Sequence, residues 1–130
     1  MSLLKEEKLI NILPKDGPTV DEVKKYLKKY NDEFIIIKCG GSVLIDPNLF
    51  RVFIQDVAVL NKLGFNPIIV HGGGKSINDK LSELNIQSNF IKGLRVTDKN
   101  MINIVEDVLI KFNEEIVNAL NNQSCKTRGI

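Results

Sequence analysis

Phe34-Ile35-Ile36-Ile37-Lys38-Cys39-Gly40-Gly41-Ser42 is the stretch on which the fold turns. Four apolar residues in a row, three of them β-branched, are too few for a helix and suit a strand. The run does not alternate with polar residues, which predicts a strand buried on both faces. Glycines follow at once. Asp46 and Pro47 then open a helix, with Pro at the first helical position, where its missing N–H costs nothing. Leu49, Phe53, Val57, Leu60 and Leu63 are its expected buried stripe, and Gly64 is its C-terminal cap. Pro67 to Val70 is a second short apolar run, read as a second buried strand. Residues 34–70 therefore predict a strand, helix, strand unit with parallel strands and a right-handed crossover. The fold class is α/β, a three-layer α/β/α arrangement around a mainly parallel sheet.

Working outward, His71-Gly72-Gly73-Gly74 comes directly after the second strand. Ser76 to Leu84 predicts a helix with Ile77, Leu81 and Leu84 on one side. Residues 86–96 alternate and break at Lys92 and Gly93, which predicts a hairpin. Thr97 is the expected cap of a long helix carrying Met101, Ile104, Val105, Val108, Leu109, Phe112, Ile116, Val117 and Leu120, with Asn121 and Asn122 at its end. Cys125 to Ile130 is expected to begin a further strand. Upstream, residues 1–31 form a helical extension, and residues 32–130 the α/β lobe. Leu3, Leu4, Leu9, Ile10 and Leu13 can share a face of a first helix that ends at Pro14 and Gly17. Thr19 and Glu22 make a capping box for a second. Val20, Val23, Tyr26, Leu27 and Tyr30 give that second helix its apolar side, with Lys24, Lys25, Lys28 and Lys29 outside.

Composition narrows the function. The chain has 130 residues, 43% hydrophobic and 26% charged, with a net charge of +2 from 18 basic and 16 acidic residues. That balance gives no field for nucleic acid or a membrane surface. With no Trp and two Tyr, stacking platforms for bases are scarce. Two cysteines far apart and one histidine offer no metal constellation, and point to a reduced, cytoplasmic setting. No apolar run reaches membrane-spanning length.

The chemistry lies in the two glycine loops. In open α/β sheets, ligands bind at the C-terminal ends of strands, where loops lead into helices. Glycine lets backbone N–H groups approach an anion closely, and a helix N-terminus behind them adds a partial positive charge. One Gly-Gly pair is read as a tight turn; two such loops on adjacent strands are read as a site for an anionic or phosphorylated ligand. Lys38, at the end of the first strand, is a mobile point charge suited to a transferring phosphoryl group. Gly74-Lys75-Ser76 looks like the end of a P-loop, but that motif requires glycine where Ile69 stands. Gly72-x-Gly74 looks like a dinucleotide fingerprint, but its third glycine position is Ile77. Arg95, between the hairpin and the long helix, is placed to grip a carboxylate. His71 reads as a structural residue of the glycine turn, and Cys39 as a small packing residue.

Three segments together resemble the amino acid kinase family: the strand ending Lys38-Cys39-Gly40-Gly41-Ser42, then Val70-His71-Gly72-Gly73-Gly74, then Gly93-Leu94-Arg95-Val96-Thr97-Asp98. The third is the more specific, and it resembles the members that phosphorylate N-acetyl-L-glutamate. By this resemblance Lys38 is the lysine that stabilises the transferring phosphoryl group. Gly40 and Gly41 face the γ-phosphate, and Gly72, Gly73 and Gly74 bind the acetylglutamate through their backbone. Arg95 holds its carboxylate. The resemblance implies ATP and Mg2+ as cofactors of the complete enzyme, bound by a nucleotide-binding C-terminal lobe. That lobe also supplies a second lysine, an aspartate and an asparagine, so this chain alone is expected to bind neither cofactor tightly and to be inactive. It implies a homo-oligomer as well: a dimer, or a hexamer through a helix of the kind that Tyr26-Leu27-Lys28-Lys29-Tyr30 resembles. Two other readings stay open: a family member with another acceptor, and a non-catalytic module that binds an amino acid or mediates assembly.

Overall fold

The computed structural model describes residues 6–30 and 33–130. Leu3 and Leu4 of the expected first helix face, and the boundary at residues 31 and 32, lie outside the described residues. Strands β1 (Phe34–Cys39) and β2 (Asn66–His71) pair in parallel, in register from Phe34 opposite Asn66 to Cys39 opposite His71. The α/β class and the parallel sheet are as expected.

Two helices lie between these strands. The first, α3 (Gly41–Ile45), starts inside the glycine loop, which the sequence did not signal. The second, α4 (Pro47–Leu63), is where Asp46 and Pro47 predict it. The Asp46 carboxylate accepts from the N–H groups of Asn48 (2.8 Å) and Leu49 (3.0 Å), satisfying amides that a helix start leaves unpaired. Gly64 ends the helix at φ 99°, a left-handed conformation that only glycine adopts cheaply. The buried stripe is the expected one except at its first residue, with Phe53 and Leu60 packed against the core as well. Ile54, Val57, Ala58 and Leu63 are buried, whereas Leu49 is 50% exposed. Leu49 lies in the first turn, outside both apolar clusters that α4 joins.

After β2 come α5 (Gly74–Glu83), the antiparallel hairpin β3 (Asn89–Ile91) and β4 (Leu94–Val96), and α6 (Ile102–Asn122). The hairpin turn is Lys92-Gly93, at φ 51° and 81°. Two consecutive positive values match the twist of the flanking strands. The turn that leads into α6 is capped by Asp98 rather than Thr97, while Met101, at the helix's own cap position, makes no side-chain cap bond. The Asp98 carboxylate accepts from the N–H groups of Asn100 (2.8 Å) and Met101 (2.9 Å). The start of the apolar stripe decides between the two neighbours. Met101 is the first buried residue, three positions after Asp98, the spacing at which a cap side chain reaches a backbone N–H. The expected strand at Cys125 to Ile130 is absent; that segment is irregular, and buries Cys125 beside α6.

The core is in three patches. Cys39, Ile54, Val57, Ala58, Phe112, Ile116 and Leu120 join the sheet to α4 and α6. Ile77, Leu81 and Met101 join α5 to α6. The third ties α1 (Glu6–Ile12) and α2 (Val20–Lys29) to their own lobe, through Leu9, Val23 and Leu27 against Leu63 and Phe65. The capping box forms as expected: the Glu22 N–H donates to Thr19 Oγ1 (3.3 Å), and the Thr19 N–H to Glu22 Oε2 (2.9 Å). Ile10, Tyr26 and Tyr30 do not join the buried side; the two tyrosine rings stack on the surface at 6.3 Å.

The strands depart from expectation in burial. Ile35, Ile37 and Ile69 pack against these patches. On the opposite face Phe34 (69% exposed), Ile36 (72%), Ile68 (41%) and Val70 (49%) are open. The described helices cover one face of the sheet. An unbroken apolar run reports that both faces can be buried; it does not report what buries them.

Candidate functional site

Because Cys39 and His71 are opposite each other, both strands end at the same level and their loops emerge side by side. The Gly72 N–H donates to the Cys39 carbonyl (3.2 Å), which extends the ladder into the loop. A Cβ on Gly41 would lie 3.9 Å from the Gly74 nitrogen, so the two glycine segments abut through backbone. Gly73 occupies the cap position of α5 with no side-chain cap bond, which leaves the first N–H groups of α5 available to an anion.

The glycines of the second loop are not equivalent. A Cβ on Gly72 or Gly74 would meet nothing within 4 Å. A Cβ on Gly73 would come within 3.2 Å of Leu109 Cδ2, and 3.5 Å of Phe112 and Val108. Gly73 is bare because α6 is packed against it; Gly72 and Gly74 line open space.

Two cations flank the loops. Lys38 is exposed on the open face of β1 and makes no hydrogen bond or ion pair among the described residues. Arg95, on β4, is held. Its Nη2 donates to Asn78 Oδ1 (2.6 Å) and to the Gly74 carbonyl (3.3 Å), and its Nη1 donates to Ser88 Oγ. The guanidinium also stacks over the Phe90 ring, 4.8 Å from the centroid. The structure thus brings Gly40, Gly41, Gly72, Gly74 and Arg95 to one end of the sheet, with Lys38 two residues before the first loop. His71 directs Nδ1 at the Gly72 carbonyl (3.4 Å) and packs edge-on to Phe112, as a residue that shapes the turn. The buried Cys39 thiol is pushed above the usual cysteine range by desolvation, which keeps it protonated and unreactive.

The profile of the amino acid kinase family matches residues 33–130. The chain belongs to the amino acid kinase family. It is 78% identical over its whole length to an acetylglutamate kinase of Pelagibacter ubique (strain HTCC1062), of which it covers 45%. It is 44% identical over 110 residues, 84% of the chain, to an acetylglutamate kinase of Thermoanaerobacter pseudethanolicus, of which that stretch is 37%. The chain therefore spans less than half the length of these curated relatives. Among solved structures it resembles an N-acetylglutamate synthase from Neisseria gonorrhoeae complexed with coenzyme A and L-arginine, with a TM-score of 0.63 over 83% of this chain and 24% of that one. At 17% identity that likeness concerns the fold alone.

Asn78, Ser88 and Phe90 stand outside the motifs by which this amino acid kinase chain is recognised, yet all three touch Arg95. A signal for Asn78 was present: it falls four residues after Gly74, on the same side of α5. Ser88 and Phe90 could be placed only once the hairpin register was known. Two apolar grooves lie elsewhere. One runs along β2 and α6 past Ile68, Val70 and Leu109; the other is between α5 and α6, past Asp79, Glu83 and Lys111. Neither is lined by the glycine loops or Arg95.

Proposed function

We propose that these residues form the acceptor-binding half of a cytoplasmic acetylglutamate kinase. The observation that carries this is Arg95 docked on the Gly74 carbonyl, at the end of a sheet where two glycine loops abut. A carboxylate-gripping cation and a backbone anion cradle are thereby juxtaposed, as an acidic acceptor and a phosphoryl group require. The names of the relatives support acetylglutamate as that acceptor.

In this reading Arg95 holds one carboxylate of N-acetyl-L-glutamate, and the N–H groups at Gly72 to Gly74 bind its polar atoms. The reacting side-chain carboxylate is ionised at neutral pH, so no general base is needed. Its oxygen forms a bond to the γ-phosphorus of ATP as the bond to the ADP oxygen breaks, giving an acyl phosphate. Gly40 and Gly41 admit that phosphoryl group between the loops, and Lys38 neutralises charge that spreads over its oxygens. ATP supplies the phosphoryl group. Mg2+ and the nucleotide are assigned to the length by which the relatives exceed this chain. Turnover is assigned to the complete protein, as is its homo-oligomer. No helix among the described residues is long and apolar enough to cross a membrane.

Calorimetric titration of the 130-residue chain with N-acetyl-L-glutamate, beside Arg95→Ala and with ATP in a separate run, tests this. Saturable acetylglutamate binding that Arg95→Ala strongly weakens is expected. ATP binding without acetylglutamate binding would reverse the assignment.

A further inference from the structure

We infer that Asn78 and Ser88 are positioning residues for Arg95: they fix its guanidinium across the mouth of the second glycine loop before any carboxylate arrives. The inference rests on the acceptor reading above. Arg95 belongs to a three-residue strand, in a hairpin that packs extensively on no other element. Phe90, Ile91, Leu94 and Val96 on that hairpin are all exposed. The hairpin's own packing therefore does not place the guanidinium; its side-chain partners do.

Those partners come from two directions. Asn78 belongs to α5, one turn beyond Gly74, and accepts at 2.6 Å. Ser88 lies just before β3 and accepts from the other terminal nitrogen. The Phe90 ring supports the guanidinium plane from one side. Asn78 is the only one of the three on a helix of the lobe, so its bond couples the hairpin to α5 and to the glycine loop from which α5 starts. A long, rotamer-rich side chain held in this way gives up less freedom when it binds a carboxylate. The two side-chain acceptors are an amide and a hydroxyl and the third acceptor is the Gly74 carbonyl, none of which neutralises the cation. Asn78 is exposed, so replacing it removes no core contact.

The chain contains three arginines, Arg51, Arg95 and Arg128, so their guanidinium signals are separable by nitrogen NMR of the full chain. Arg95 is expected to show slowed rotation of its terminal nitrogens, unlike the exposed Arg51 and Arg128. Asn78→Ala with Ser88→Ala should release it, whereas Asn78→Asp, which keeps an acceptor oxygen, should not. In calorimetry Asn78→Ala should weaken N-acetyl-L-glutamate binding about 3- to 10-fold, the range expected for ordering one such side chain. It should cause no further loss when added to Arg95→Ala. A freely rotating Arg95 in the native chain, or one still restrained in the double alanine variant, overturns the proposal; so does a loss that adds fully to that of Arg95→Ala. A restrained Arg95 that Asn78→Ala and Ser88→Ala release, in a chain that does not bind acetylglutamate, supports the positioning and sinks the acceptor reading instead.

Discussion

The two glycine loops look alike in sequence and are built on different terms. The first follows β1, leads into the short helix α3, and is attended by Lys38, which has no partner among the described residues. The second follows β2, is wedged at Gly73 against α6, and is attended by Arg95, which has four contacts. A free ammonium can follow a group that moves during transfer, whereas a planar guanidinium in a fixed frame selects a ligand of fixed shape. The difference teaches that glycine-rich sequence marks where a ligand can approach; the packing behind it distinguishes a loose loop from a held one.

The strongest way to break this comparison is to put a methyl group into each loop. Gly73→Ala requires Leu109 to give by a few tenths of an ångström, and overpacking of this kind costs about 1 kcal/mol. Thermal unfolding should show it as a fall of several degrees in Tm. Gly41→Ala meets only an ordinary contact at 3.9 Å and should cost less than Gly73→Ala, as an unstrained substitution does. Equal losses would erase the distinction between the loops.

The cations provide the next test. Arg95→Ala removes partly exposed charged hydrogen bonds and should lower stability by roughly 1 kcal/mol in urea denaturation. Lys38→Ala should change it by less than about 0.5 kcal/mol. Phe90→Leu, which keeps apolar bulk but removes the ring face, should cost about 0.5 kcal/mol and leave the far side of the molecule undisturbed.

The smallest effect concerns pH. Burial raises the Cys39 thiol, so folding favours its protonated form. The stability from that preference is complete below the ordinary cysteine range, and is lost as pH rises through the higher native value. Denaturation midpoints should therefore drift down on the alkaline side in the parent and drift less in Cys39→Ala. A thiol reagent should label Cys39 of the native chain slowly at neutral pH. Fast labelling would show the first loop to be more open than its burial implies.

Much of this was legible because single residues enforce local geometry. Asp46-Pro47, Gly64, the Thr19 and Glu22 box, and Lys92-Gly93 each predict a boundary that the structure places there or within a residue of it. The loops were legible because glycines directly after a β-branched run have few other uses. What escaped depends on partners distant in sequence. The open face of Phe34, Ile36, Ile68 and Val70 follows from where α4 and α6 pack, which an apolar run does not encode. Leu49 lies outside both clusters that the rest of α4 joins, which its place in the apolar stripe does not encode. Ser88 gained its meaning only from the hairpin register, and the place of Asn78 after Gly74 did not name Arg95 as its partner. The roles of Lys38 and Arg95 toward a ligand remain the reading proposed above.

The register of β1 on β2 has a consequence for how the molecule assembles in time. Phe34 and Asn66 must find each other across a connection that contains both α3 and α4. Such non-local closure is slow unless the intervening helix has already shortened the search. A strand slipped by two residues would keep the same residues facing the core, yet would part Gly41 from Gly74 by about 7 Å. On the reading proposed above, binding competence emerges only with the last increment of correct pairing, so ligand affinity measured during refolding would serve as a clock for strand registration.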